Sequence, residues 1–176
     1  LYGLWASRVD ALLEGVDAEA RRGLELAALL GPRVLREEWR GACLVLGSAT
    51  EEAAIERLVR TSLVLPEEDG WTFAHGMLQE SLLRGARDAR HLQNLHAACA
   101  QMLATRGGQP AREANHHLAA GHPERALWPL MRAAEGAAQR GDVAEALRQL
   151  DRRQRALLAT GAGSEDPRWA KADALR

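Results

Sequence analysis

Leu63-Val64-Leu65-Pro66-Glu67-Glu68-Asp69-Gly70-Trp71-Thr72-Phe73 is the stretch on which the fold turns. Two short runs of β-prone residues flank a polar turn, Pro66 to Gly70, that ends in Asp-Gly, the pattern of a β-hairpin. It is the one convincing strand signal in the 176 residues. Elsewhere aromatic residues make up only 4% of the chain while Ala, Leu and Arg are abundant, which predicts a mainly α protein.

Upstream of the hairpin the apolar residues fall at helical spacing. Leu4, Trp5, Val9, Leu12 and Leu13 are expected to form a short helix that ends near Gly15 and Asp17. Ala18 to Leu30 forms a second, stopped by Gly31-Pro32. A third is expected from about Leu35 to Leu46. Ser48-Ala49-Thr50-Glu51 then reads as a capping box before a fourth helix that carries Ile55, Leu58 and Val59 inward. Three helices followed by a hairpin is the winged-helix order, in which the hairpin covers the open edge of the helix triplet. Residues 1–86 are therefore expected to be a winged-helix-like domain with one hairpin.

Downstream the helical pattern returns, with Met77, Leu78, Leu82 and Leu83 on one face and Leu92, Leu95, His96, Cys99 and Leu103 on another. Gly107-Gly108-Gln109-Pro110 breaks the run. Gly121-His122-Pro123-Glu124-Arg125-Ala126-Leu127 is then echoed by Gly141-Asp142-Val143-Ala144-Glu145-Ala146-Leu147, with Leu130 and Leu150 again matching. Each copy is a turn and a helix of about four turns. A unit that cannot bury its face alone must stack on its neighbour, so residues 87–176 are expected to form a truncated, antiparallel helical-repeat segment resembling tetratricopeptide repeats. Asp166-Pro167 is expected to cap one more helix. The chain starts without methionine and reads as a piece of something longer.

The formal net charge is −1, unevenly spread: residues 1–86 hold 9 basic and 14 acidic side chains, residues 87–176 hold 14 and 10. An acidic front half repels polyanions, so DNA is an unfavoured partner. Cys43 and Cys99 lie far apart without a Cys-x-x-Cys pair, which fits buried thiols in a reducing cytoplasm. The absence of a 20-residue apolar run argues against a membrane span. One lysine, Lys171, beside 22 arginines suggests a bacterial source of GC-rich codons.

The chemistry-bearing motifs are mostly missing. Lys171 stands between Ala170 and Ala172, so there is no Gly-Lys-Ser/Thr step to cradle phosphate. Gly-x-Ser-x-Gly, His-Glu-x-x-His and Gly-x-Gly-x-x-Gly are absent as well. No catalytic residue and no metal site is expected. His116-His117 point about 100° apart on a helix, and with His122 they fit a polar contact or a solvated face better than a chelate. His91 and His96 are five apart, which suits neither helical pairing. His75 is the exception in placement, at the turn from hairpin to helix within Phe73-Ala74-His75-Gly76-Met77-Leu78-Gln79-Glu80. Position alone leaves it as either a capping or packing residue or a side chain aimed at a ligand.

The order of these pieces resembles the STAND regulatory ATPases, in which a nucleotide-binding domain precedes a winged helix and tetratricopeptide-like repeats. The residues that carry the likeness are Arg8-Val9-Asp10-Ala11-Leu12, the segment Ala20–Gly31, the Phe73–Glu80 stretch and the Gly-x-x-x-x-Ala-Leu repeats. The resemblance implies a non-catalytic segment whose front domain packs on an N-terminal nucleotide-binding domain of the same polypeptide. It implies that His75, matching the histidine of a Met-His-Asp-like motif, touches the β-phosphate of ADP. Ala74 and Gly76 depart from that motif. The fragment alone would bind no cofactor; ADP or ATP would belong to the parent protein, and the repeats would bind a protein partner or a second copy. Relatives attach such modules to kinases, cyclases or DNA-binding outputs. The competing expectation is a DNA-binding winged-helix regulator with a helical effector or dimerisation domain, reading DNA through Thr50–Ser62. That helix carries Glu51, Glu52 and Glu56 against Arg57 and Arg60, and the wing bears three acids.

Overall fold

The computed structural model describes residues 18–48, 52–163 and 166–167. Among them are eight helices and one three-stranded antiparallel sheet, so the protein is mainly helical. The helix expected near Leu4–Leu13, the Ala49–Glu51 part of the capping box and the helix expected after Pro167 lie outside the described residues. The chain divides into two compact units between Met102 and Leu103.

Among the described residues the first unit opens with α1, Ala18–Leu30, which buries Ala20, Leu24, Leu26, Ala27, Ala28 and Leu30 and packs mainly on α4. Gly31 and Pro32 end it, and β1, Arg33–Leu35, follows. The helix expected from about Leu35 to Leu46 follows as α2, Arg36–Leu46, whereas β1 before it carries no sequence signal. Three residues are too few to show a period, and β1 exists because it pairs with β3 through Arg33↔Thr72, Val34↔Trp71 and Leu35↔Gly70. Gly47 closes α2 in the left-handed conformation, with Ser48 N donating to the Cys43 carbonyl. Then come α3, Glu52–Arg60, and the hairpin of β2, Val64–Glu67, and β3, Gly70–Phe73.

The hairpin stands where the sequence put it, but its turn is shorter. Glu67 pairs with Gly70, so only Glu68 and Asp69 lie between the strands, and Pro66 belongs to β2. In the strand order β1-β3-β2, β2 is an outer strand, where a proline removes no ladder bond that the sheet needs. Gly70 is not a turn glycine, since its φ is not positive. It sits against β1 so closely that a Cβ there would overlap the Val34 carbonyl oxygen.

The core of this unit is built on two tryptophans. Trp39 and Trp71 are each 1% exposed and meet edge to face, ring centres 5.0 Å apart, in a geometry favoured by the ring quadrupoles. Trp39 Nε1 donates to the Gly23 carbonyl at 2.7 Å, which binds α2 to α1. Beyond the hairpin, α4 spans Gly76–Asp88 and α5 spans Leu92–Arg106.

The second unit holds α6, Pro110–Ala119; α7, Pro123–Gln139; and α8, Val143–Ala159. The repeated glycines do the same job twice. Gly121 and Gly141 take φ of +81° and +77°, and in each turn the next amide reaches back to close the preceding helix: His122 N to His117 O, and Asp142 N to Ala137 O. Asp142 also caps α8 by accepting from Glu145 N at 3.0 Å. Leu127, early in α7, clusters with Ala156 and Leu157, late in α8, whereas Met131 and Ala134 meet Leu150. The two 17-residue helices therefore run antiparallel, as their spacing predicts.

Candidate functional site

His75 stands at the junction that the sequence singled out. Phe73 and Leu78 are buried on either side of it, and Ala74 N donates to the Leu63 carbonyl at 2.9 Å, so the backbone there is pinned to the hairpin. His75 is extended, with φ −137° and ψ 126°, and its carbonyl accepts from Leu78 N in the first turn of α4. Its side chain is exposed and makes no capping bond to the helix. Gln79, one turn on, donates to the Ala28 carbonyl at 2.8 Å and fixes the start of α4 against α1. The result is an imidazole at the open end of a 13-residue helix, beside backbone N–H groups that have no partner within the helix. The start of a helix favours nearby negative charge.

Part of the charged surface around the sheet of this unit is paired. Arg33 bonds Glu67 at 2.6 Å and Asp69 at 2.9 Å. The Glu67 carboxylate is held below its ordinary range by hydrogen bonds from Thr72 and Arg33. Arg36 and Arg40 both engage Glu52; partial burial pushes that carboxyl up, and the two arginines outweigh it, leaving it below the usual range. On α3 the exposed charges are Glu56, Arg57 and Arg60.

The other histidines divide differently from the sequence reading. His116 and His117 are 6% and 9% exposed, so they do not form a solvated face. α6 packs on α7, and Asn115 accepts a bond from Arg152 of α8, leaving little of α6 for water. His117 Nε2 lies 3.9 Å from Glu113, its Nδ1 is buried without a hydrogen-bond partner, and burial, with Arg125 and His122 adding to it, lowers its proton affinity. Burial raises the Glu113 carboxyl, against the pull of Arg132. His91 is tied to Glu25, a residue that sequence periodicity could only place on α1, by a 2.5 Å bond across 66 positions. Arg153 of α8 is buried. Among the described residues no group of three His, Cys, Asp or Glu is placed to hold a metal ion, and no helix is long and apolar enough to cross a membrane. No family model, no curated protein and no solved structure matches this chain.

Proposed function

We propose that the chain is a non-catalytic, cytoplasmic regulatory segment of a STAND-type signalling ATPase, coupling the nucleotide state of an N-terminal domain to partner binding or self-association. In this reading the first unit is a winged helix. The order α1-β1-α2-α3-β2-β3, with β3 central in the sheet, supports it. The second unit is a tetratricopeptide-like segment, supported by the antiparallel α7 and α8 and their repeated glycine turns.

The observation that carries the reading is His75, exposed directly after the hairpin at the start of α4. An imidazole N–H there can donate to a phosphate oxygen supplied from another domain, and exchange of ADP for ATP would change that contact and bias the domain arrangement. The test is ADP affinity in the polypeptide that carries both the nucleotide domain and this segment. A hydrogen bond to a charged group is worth about 1.5–3 kcal/mol, so His75→Ala should weaken ADP roughly 10- to 100-fold and raise basal output. Unchanged affinity removes His75 from the role of sensor.

A DNA-reading winged helix is the second reading, and the surface speaks against it. The exposed charges of α3 are mixed, and two of the wing's three acids, Glu67 and Asp69, already engage Arg33. Phosphate neutralisation dominates DNA affinity, so a gel shift at low salt should show no complex. A retarded band there would favour the DNA reading.

A further inference from the structure

The bend between α4 and α5 has no breaker in its sequence. From Ala86 to Arg106 there is neither glycine nor proline, and both flanks are made of good helix formers. Arg90 nevertheless turns the chain in the left-handed conformation, at φ +57°. There Arg90 N donates to the Arg87 carbonyl and His91 N to the Ala86 carbonyl. A non-glycine residue in that conformation disfavours the turn about 5- to 30-fold relative to an ordinary helical residue. Something other than local preference holds the bend.

One candidate is bonded to its first residue. His91 Nε2 meets Glu25 Oε2 at 2.5 Å, and Glu25 is 1% exposed, on the face of α1 that packs against α4. Arg21 lies 3.5 Å from the other carboxylate oxygen. Gly85 leaves room beside the pair: a Cβ there would stand 3.2 Å from Arg21 Nη2 and 3.5 Å from Glu25 Oε1. Losing His91 would strand most of the hydrogen bonding of a buried carboxylate, a strongly unfavourable outcome. The clasp is also reachable. It borders an open cavity of about 610 Å³, lined besides by Arg22 and Asp88.

We propose that the α4–α5 bend is a two-state joint, latched in its bent form by the Glu25–His91 bond and able to run as one continuous helix from Gly76 to Arg106 when that bond is lost. The burial of Leu95, Ala98 and Cys99 also favours the bent form, which is why it prevails with the latch closed. The covalent path from the first unit to the second runs through α5, so the joint suits the passing on of a change in the first unit. The inference does not depend on the nucleotide reading.

The experiment places spin labels on exposed Glu80 and Gln101, through non-canonical residues that leave Cys43 and Cys99 in place. In a straight helix 21 residues span ~32 Å, and any bend shortens this. The otherwise native chain should show a single shorter distance. His91→Leu should bring up a ~32 Å population, at least ~10-fold above any trace in the parent, and Arg90→Gly added to it should return the short distance. His91→Leu with the parent's distance distribution overturns the latch. Should His91→Leu fail to fold, His91→Ala decides by the same label distance, the parent's distribution again overturning the latch; Arg90→Gly in the otherwise native chain must also raise resistance to urea, and no gain in stability overturns the claim that the bend is strained.

Discussion

Replacing Gly70 by alanine adds one methyl group, and it should cost far more than one methyl usually does. The added carbon would overlap the carbonyl oxygen of Val34 and stand 3.0 Å from its carbonyl carbon and 3.1 Å from Leu35 Cα. All three are backbone atoms of β1, so no side chain can swing aside. Either β1 is pushed off β3 or the hairpin shifts as a body. If β1 detaches, Val34, now fully buried, returns to water at about 1.5 kcal/mol or more. The bonds Phe73 N to Pro32 O and Arg36 N to Asp69 O are strained or lost with it, at about 1 kcal/mol each. The total is about 3.5 kcal/mol, a large share of a typical domain's 5–15 kcal/mol. Urea unfolding followed by tryptophan fluorescence reads this directly, because Trp71 is the next residue and packs on Trp39. Gly76→Ala is the control: nothing lies within 4 Å of its would-be Cβ, and alanine suits the first residue of a helix, so it should be neutral or slightly stabilising. A Gly70→Ala chain within ~0.5 kcal/mol of the parent would refute the reasoning, since it would mean that β1 yields freely.

Two further outcomes follow from the titratable groups. His117 is held below the ordinary imidazole value of about 6.5, so between that value and the folded one the unfolded chain binds the extra proton; stability is full above the unfolded value and falls as pH drops through the window. Glu113, raised by burial, acts in the opposite sense: its contribution is present below the unfolded carboxyl value and lost as pH rises through the folded one. The difference in urea midpoint between the parent and His117→Gln, measured from pH 7.5 to pH 5.5, isolates the histidine; parallel profiles for the two chains would show that His117 does not titrate differently on folding. Burial pushes the Cys43 thiol up to about 12, so at pH 8 only about one molecule in ten thousand carries the thiolate. Iodoacetamide should therefore modify Cys43 only on unfolding, and labelling of the native chain at the rate of a free thiol would contradict its burial.

How far the sequence reaches depends on whether a feature is local. The hairpin is legible because two β-prone runs and a polar turn lie side by side in the chain, and α7 and α8 are legible because Gly121 and Gly141 recur with the same apolar spacing. Ala18–Leu30 ends where Gly31-Pro32 says it must. β1 is not legible, because Arg33-Val34-Leu35 becomes a strand only when β3, nearly forty residues on, is there to pair with it. The same distance hides Gly70, which looks like a turn residue next to Asp69 and is in fact the gap through which β1 passes. Of the candidate site, the place of His75 could be read from the order of elements, and its exposure could not. Glu25 and His91 show the limit most sharply: each is unremarkable on its own helix, and their bond exists only in three dimensions.

The outer strands of the small sheet set a rule for whatever meets this face. β2 offers a proline at its middle and β1 is three residues long, beginning with an arginine tied down by two carboxylates. A neighbouring chain cannot extend such a sheet by adding its own backbone, the generic route to promiscuous sticking and fibre growth. Recognition here must be written in side chains, so it can be retuned one substitution at a time without rebuilding the scaffold.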